Sequence, residues 1–188
     1  MGEMPTADVR TTMIRGAAEL LAAQGLRGTS LNDVLTHTGS PRGSINHHFP
    51  GGKDELLTEA LGLVGRRLER AMTSGPPLRT PQDVAARFVE LWRASLVESH
   101  TTARCPVAAI SHDPPSEQVL FAAREVFRRW REVLAEQLRS TGLESERAFG
   151  QAAALVALVE GAVMLARTEQ SLELFDVIAR SAARLVAP

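Results

Sequence analysis

Hydrophobic residues recur at helical spacing along most of the chain, and no segment alternates apolar and polar residues between hairpin turns. This spacing is typical of amphipathic helices that bury one face. The predicted helices cover about residues 8–24, 30–38, 40–48, 53–72, 80–98, 116–139, 144–168 and 171–186, with a further short helix within 104–115. The sequence therefore predicts an all-α fold of about nine helices.

The ends of several predicted helices carry their own signals. Gly39 is placed to end the second helix in a left-handed conformation. Ser30 and Ser40 are expected to cap the second and third helices, and Pro41 fits the first helical position because no amide proton is needed there. Thr80 is followed by proline and by an acid three residues later, which predicts the start of the fifth helix.

The last two predicted helices differ from the others because apolar and small residues occupy more than one of their faces. The small residues would let neighbouring helices approach closely: Ala148, Ala152, Ala153, Ala154, Gly161, Ala162 and Ala166. A helix that is apolar on nearly all sides needs a cover beyond its own core. A second copy of the chain is the simplest cover, so we expect a homodimer held by these two helices.

Composition narrows the classes of protein to consider. The 188 residues are 44% hydrophobic, enough for an ordinary core, and the single cysteine excludes an intrachain disulfide framework. The formal net charge is −1, so any affinity for nucleic acid has to come from local arrangement. The N-terminal sequence does not resemble a signal peptide, and no apolar stretch approaches the roughly 20 residues of a membrane span. We expect a cytoplasmic protein without a membrane segment.

A helix-turn-helix pattern lies between Ser30 and Phe49. Its two short helices can share an apolar core made by Leu31, Val34, Leu35, Ile45 and Phe49. Such a motif buries one face of each helix and places the start of the second helix in the major groove of DNA. The open side of that helix then carries the candidates for base recognition, which are Arg42, Gly43, Ser44 and Asn46. A guanidinium suits guanine and an amide suits adenine.

Residues at two helix starts are placed to hold DNA phosphates. Thr29 and Ser30 offer hydroxyls and amides at the start of the second helix, and a Gly-Gly pair before Lys53 repeats the arrangement at the fourth. His47 is a third candidate phosphate contact, and Pro41 opens the helix that enters the groove. The alternative for Ser30 is capping alone, and the alternative for His47 is a solvated surface histidine.

The segment from Thr29 to Phe49 resembles the tetracycline-repressor (TetR) family. The stretch Pro50 to Leu56 and the element Cys105-Pro106-Val107 resemble its LmrA/YxaF-like subgroup. The resemblance is close over about residues 8–60. It implies a DNA-binding domain (1–52), a connecting helix (53–73) and a ligand-binding and dimerisation domain (74–188). The resemblance implies a repressor that binds double-stranded operator DNA and is released from it by a small organic effector. It also implies that the chain pairs with a second copy of itself.

One position departs from the family pattern. Members of the family usually carry tyrosine where Asn46 stands, and this chain contains no tyrosine. Asn46 either reads a base or marks the loss of a phosphate contact. Altered specificity is the preferred interpretation, because the other elements of the motif are present.

Large apolar side chains of the second domain are candidates for an effector pocket: Phe88, Trp92, Leu96, Phe127, Trp130 and Met164. Pockets for small organic ligands are mostly apolar, although ordinary core packing explains each of these residues taken alone. Glu160 stands inside an apolar run and needs a partner, either an arginine across the dimer or a polar group of the effector. The expected effector is apolar or aromatic.

The sequence gives no support for an enzyme. It has no phosphate-cradling glycine loop, no nucleophile elbow and no pair of carboxylates with an orienting partner. His100, Cys105 and His112 match no standard zinc spacing, so we expect no metal and no other cofactor. The alternative to a ligand-responsive regulator is a helical DNA-binding protein without an effector, which leaves most of the second domain unexplained.

Overall fold

The computed structural model describes residues 6–112 and 115–187, and their secondary structure is entirely helical. The eight α-helices are α1 (Thr6–Gln24), α2 (Leu31–Thr38), α3 (Ile45–His48), α4 (Gly52–Thr73), α5 (Pro81–Glu98), α6 (Glu117–Ser140), α7 (Ser145–Glu169) and α8 (Glu173–Leu185). Short 3₁₀ helices cover Arg42–Ser44 and Ala108–His112. The all-α prediction is confirmed, and the short helix expected within 104–115 is a 3₁₀ helix.

The described residues form two compact units. The first contains the residues up to Gly65 and those from Arg104 to Val126, and the second contains the residues from Arg66 to Ala103 and from Phe127 onwards. Two of the three boundaries fall inside helices α4 and α6, which therefore contribute to both units. The predicted boundaries at residues 52 and 73 are of another kind, because they separate DNA reading from ligand binding. This functional division stays a prediction.

Close packing of α1 on α2 organises the first unit. Met13, Val34 and Phe49 are almost fully buried in its core. Gly16 makes the close approach possible, because a Cβ atom at this position would lie only 2.3 Å from Cγ2 of Thr38. An alanine there would require the Thr38 side chain or one of the two helices to move, so this glycine permits the close spacing of α1 and α2.

Capping interactions fix the start of α2. Oγ of Ser30 accepts a hydrogen bond from the Asp33 amide at 3.1 Å, and the Asp33 carboxylate accepts one from the Ser30 amide at 2.8 Å. This reciprocal pair confirms the predicted cap. The prediction that Ser40 caps the next helix is wrong. The 3₁₀ helix is preceded by Pro41, which offers no side-chain cap, and buried Ser40 instead accepts a hydrogen bond from Thr38.

Helices α5, α7 and α8 pack on one another in the second unit. Thr80 and Asp83 cap α5 with the same reciprocal hydrogen bonds that Ser30 and Asp33 form at α2, as predicted. Arg93 on α5 forms two hydrogen bonds with Asp176 on α8, of 2.8 and 3.4 Å, which lower the pKa of the Asp176 carboxyl. This pair joins the two helices at the rim of their contact.

Helix α7 is strongly apolar, as the sequence analysis expects of the last two helices. By length and composition it could cross a membrane, although the core helix of a soluble bundle passes the same test. Glu160 divides this stretch into apolar runs that are each far shorter than a membrane span. Only 44% of the residues in its most apolar window are buried within one chain.

Candidate nucleic-acid interface and effector site

The recognition segment Arg42–His48 has one buried side and one open side. Ile45 is buried, and Phe49 directly after the segment is 1% exposed. Pro41, Arg42, Gly43, Asn46 and His47 are all exposed. Residues 42 and 46, like residues 43 and 47, are one helical turn apart and share a face. The structure therefore places five of the residues predicted to contact DNA on the open side of the segment.

Ser44 is less available than its neighbours. It is half-buried, and its hydroxyl donates a 2.6 Å hydrogen bond to the carbonyl oxygen of Pro41. The Ser44 amide donates to the same oxygen and closes the 3₁₀ helix, while the side-chain bond uses the hydroxyl proton. The remaining lone pairs of Oγ can accept a hydrogen bond from a base, so Ser44 suits an amino group in the major groove.

The expectation that Thr29 holds a phosphate is corrected by its surroundings. The side chain is 1% exposed, and its hydroxyl donates a hydrogen bond to the Gly25 carbonyl oxygen at 2.8 Å. The Thr29 amide donates to the Leu26 carbonyl oxygen. Both donors are thus used to shape the turn between α1 and α2. Ser30 is half-buried, its Oγ accepts a hydrogen bond from the Asp33 amide, and its hydroxyl also interacts with the Asp33 carboxylate.

Lys53 lies between the end of α1 and the start of α2. Its Nζ donates a hydrogen bond to the Leu26 carbonyl oxygen at 3.2 Å. The hydrogen bonds from Ser30 lower the pKa of the Asp33 carboxyl, and the Lys53 ammonium adds to the effect. The remaining two N–H groups of Lys53 can therefore reach an anion at the start of α2, where the Asp33 carboxylate offsets part of the attraction.

Arg10 is a residue that the sequence analysis missed. Its guanidinium lies 5.0 Å from the centre of the Phe49 ring and 3.2 Å from the Glu59 carboxylate on α4. These contacts hold the end of the recognition segment against both α1 and α4. No local sequence pattern predicts these contacts, because Phe49 and Glu59 lie 39 and 49 positions from Arg10 along the chain.

An aromatic cluster lies in the second unit. Ring centres of Phe88 and Trp92 are 6.5 Å apart, those of Trp92 and Trp130 are 6.1 Å apart, and those of Trp130 and Phe127 are 5.5 Å apart, all in edge-to-face geometry. Leu96, one turn after Trp92 on α5, is also buried. The structure therefore brings together four of the side chains predicted to line a pocket.

The indole N–H of Trp92 has no hydrogen-bond acceptor among the described residues, although the nitrogen is buried. The side chain as a whole is 9% exposed. A buried donor without a partner costs about 1–3 kcal/mol, and buried tryptophan N–H groups usually find an acceptor. The cluster is therefore apolar with one unsatisfied polar position.

Met164 does not belong to this buried cluster, because it is 56% exposed on α7. Other exposed apolar side chains lie on α7 and α8, and together with Met164 they define what we call the exposed α7–α8 face: Phe149, Ala157, Met164, Val177 and Leu185. A Cβ atom added at Gly161 would meet no atom within 4 Å. Glu160, which also lies on α7, is half-buried.

No cluster of three or more His, Cys, Asp or Glu side chains within the described part of the chain is arranged to hold a metal ion. Cys105 is buried, and its Sγ accepts a hydrogen bond from the Ala108 amide. The side chain of His112, the third candidate considered, lies outside the described residues.

The fold and the exposed recognition segment define a helix-turn-helix DNA-binding transcriptional regulator. The chain belongs to the TetR family: residues 13–60 match the family model of bacterial regulatory proteins, tetR family, and residues 81–181 match that of the transcriptional regulator LmrA/YxaF-like, C-terminal domain. Both parts of the predicted resemblance are confirmed. Proteins of these families are transcriptional regulators, not enzymes.

Individual relatives agree with this assignment over nearly the whole chain. An HTH-type transcriptional regulator of Mycobacterium tuberculosis is 31% identical over 184 residues, covering 94% of this chain and 93% of the relative. The HTH-type transcriptional regulator LmrA of Bacillus subtilis is 28% identical over 171 residues, covering 89% and 91%. A TetR transcriptional regulator from Legionella pneumophila shares the fold, with a TM-score of 0.84, 19% identity and full coverage of both chains.

Proposed function

We propose that the chain is a cytoplasmic, homodimeric repressor that reads operator DNA through Arg42–His48 and is released by a small apolar or aromatic effector. One observation carries the proposal. A single chain leaves two surfaces uncovered, the recognition segment in the first unit and the exposed α7–α8 face in the second. DNA suits the first surface and a second copy of the chain suits the other.

The proposed contacts divide into base recognition and phosphate binding. Arg42 and Asn46 project from the open side of the recognition segment and are assigned to base edges, with Ser44 as an acceptor. Gly43 and Pro41 let the backbone approach the groove. Phosphate contacts are assigned to His47 and Lys53, which keep side-chain donors, and to Ser30 at the start of α2. Thr29 shapes the turn behind them.

Dimerisation is supported by the apolar character of the exposed α7–α8 face. Phe149 and Met164 are both 56% exposed, and the open space around Gly161 leaves room for another helix. Removing such a surface from water contributes about 25 cal/mol per Å². A twofold dimer uses the same patch on both chains and places two recognition segments on one duplex. Glu160, at the edge of this surface, is assigned to the dimer contact.

The aromatic cluster supports the effector site. An aromatic ligand carrying a carbonyl, ether or phenolic oxygen would supply the acceptor that the Trp92 N–H lacks. Helix α4 contributes residues to both units, so a movement of its second half can change the separation of two recognition segments. The effector must bind the released state more tightly, because equal affinity for both states shifts nothing. The repressor mode itself follows the family resemblance.

Selection of duplexes from a randomised library by the full-length protein tests the DNA-reading part of the proposal. The selected sites are expected to contain two half-sites related by a twofold axis, with centres one helical turn of about 34–36 Å apart or at a longer interval in register. Enrichment of no sequence at all would contradict the proposed reading of bases.

Tryptophan fluorescence tests the effector part, because both tryptophans lie in the second unit. An effector found by screening aromatic ketones and phenols is expected to quench the emission, and reciprocity requires the selected duplex to weaken its binding. Trp92→Phe should weaken the binding of the effector while leaving the affinity for DNA unchanged. An effector that binds equally well with and without duplex would contradict the release mechanism.

A further inference from the structure

The segment Thr102–Arg104, which we call the linker, is the place between α5 and α6 where the chain passes from the second unit to the first. Thr102 belongs to the second unit and Arg104 to the first, with only Ala103 between them. An arginine side chain is bonded at each end of the linker. The first is Arg104 itself and the other is Arg167 on α7.

Arg104 is bonded to the last turn of α1. Its amide donates to the Ala22 carbonyl oxygen at 3.0 Å, and its Nη2 donates to the Ala23 carbonyl oxygen at 3.3 Å. The last carbonyls of a helix have no partner within it, and a cation at this end is favoured by the helix dipole. A Cβ atom at Gly25 would lie 2.9 Å from the Arg104 Nη1, so the small residue there admits the guanidinium. Arg104 thus fixes the end of α1.

The end of α1 determines where α2 begins. The Thr29 hydroxyl donates to the Gly25 carbonyl oxygen at 2.8 Å, and Nζ of Lys53 donates to the Leu26 carbonyl oxygen at 3.2 Å. Together with Arg104, these side chains bind the carbonyls of the helix end and of the turn that follows it. Any movement of this turn moves the start of α2, and α2 packs against the recognition segment in a helix-turn-helix.

The other end of the linker is held equally firmly. Nε of Arg167 donates to the Thr102 carbonyl oxygen at 2.9 Å. Just before it, the Thr101 amide donates to the Leu96 carbonyl oxygen, which closes α5 in a Schellman-type turn. His100 and Thr101 have φ values of +49° and +60°, a left-handed conformation that residues other than glycine seldom adopt. The chain therefore leaves α5 in one narrowly defined direction.

We propose that Arg104 and Arg167 are positioning residues for operator binding. Acting from the two ends of the linker, they hold the end of α1, and through it α2 and the recognition segment, in the orientation that DNA requires. Neither residue contacts DNA. The inference needs DNA binding by the first unit but no effector.

A double-mutant cycle tests the proposal in the full-length protein. The variants are Arg104→Ala, Arg167→Ala and the double substitution, and the probe is a duplex selected by the wild-type protein from a randomised library. Binding is measured by fluorescence anisotropy over a series of KCl concentrations. Arg147→Ala is the matched control, because Arg147 also lies on α7 and donates to a backbone carbonyl, that of Ala187, away from the linker.

Each single substitution is expected to weaken binding about tenfold, and the double substitution no more than either alone, because the two residues act through one segment. The dependence of affinity on salt should stay as in the wild type, and the control should bind within about twofold of it. Losses that multiply to about a hundredfold in the double variant would overturn the proposal. So would a salt slope reduced by about one unit in Arg104→Ala, since that indicates a phosphate contact.

Arg104→Lys covers the case in which the alanine variant does not fold, because it keeps the charge at the end of α1 and loses the forked geometry. Its cycle with Arg167→Ala should show the same lack of additivity, and multiplying losses would again overturn the proposal. Failure of the wild-type protein to enrich any duplex would instead contradict the proposed reading of bases, and the two failures are thereby distinguishable.

Discussion

The two units differ in how far a single chain pairs their polar groups and covers their apolar surface. In the first unit, Ser30 caps α2, Lys53 and Arg104 bind carbonyls at and just after the end of α1, and Arg10 covers Phe49. The recognition segment of this unit stays exposed. In the second unit, only 44% of the most apolar window of α7 is buried within one chain. The interactions named in the first unit are thus made within one chain, whereas we propose that a second copy of the chain covers the apolar surface of the second unit.

A charge on the exposed α7–α8 face should produce the largest effect. Phe149→Glu would bury an unpaired carboxylate in the proposed interface, at a cost of about 3–5 kcal/mol, and should raise the dimer dissociation constant by a hundredfold or more. Sedimentation velocity over a concentration series measures this. Phe121→Glu is the control, because Phe121 is 63% exposed, lies in the first unit and is outside the face. Equal weakening by both variants would remove the distinction between the units.

Gly16→Ala should produce the next largest effect, this time inside the first unit. The added Cβ meets Thr38 at 2.3 Å, and overpacking of this kind costs about 1–3 kcal/mol of unfolding free energy. Thr38 also bonds Ser40, so the recognition segment should shift as well. Gly43→Ala is the matched control for stability, since nothing lies within 4 Å of its added methyl group. Urea denaturation distinguishes the two, and equal stabilities would contradict the close approach of α1 and α2.

The roles within the recognition surface should separate in binding assays. Arg42→Ala and Asn46→Ala should lose about 1–3 kcal/mol on the preferred duplex and much less on mismatched ones, because base contacts carry specificity. Lys53→Ala should weaken all duplexes alike and reduce the salt slope by about one unit. Measurements on matched and mismatched duplexes across a salt series decide this. Uniform weakening by Arg42→Ala would show that the assignment of roles is wrong.

The smallest effect should come from the two capping aspartates, one in each unit. Hydrogen bonds from the cap residue lower the pKa of Asp33 and of Asp83 below the ordinary value of 3.8. A lowered pKa in the folded state means that the stabilisation is complete above that ordinary value and is lost as pH falls through the folded pKa. Asp33→Asn and Asp83→Asn should therefore lower stability near neutral pH and flatten its acid dependence. Thermal unfolding at several pH values measures both.

Local rules account for much of what the sequence predicted correctly. The cap at Ser30 and the left-handed turn at Gly39, with a φ of +64°, follow from preferences of single residues. The same rules misassigned Ser40, because a buried hydroxyl and a capping hydroxyl have the same sequence signature. Only the surrounding packing decides which one a threonine or serine becomes.

Contacts between distant positions were beyond sequence reasoning. Arg104 binds Ala23 across 81 positions, and no periodicity in either segment indicates the pair. Met164 was placed in the pocket because its type suits an apolar site, but periodicity does not tell which apolar face of a helix finds a neighbour in the same chain. The aromatic cluster was predictable because Phe88 and Trp92 share a helical face, as do Phe127 and Trp130.

The stoichiometry of the protein on DNA tests the central claim most directly. Sedimentation equilibrium of the full-length protein with a selected duplex should show two chains per complete site. On a duplex with one half-site destroyed, the complex should still contain two chains and bind far more weakly, because only one recognition segment of the dimer is engaged. One chain per complete site, with unchanged affinity for the half-site duplex, would contradict the claim that the regulator binds DNA as a homodimer held together by its second unit.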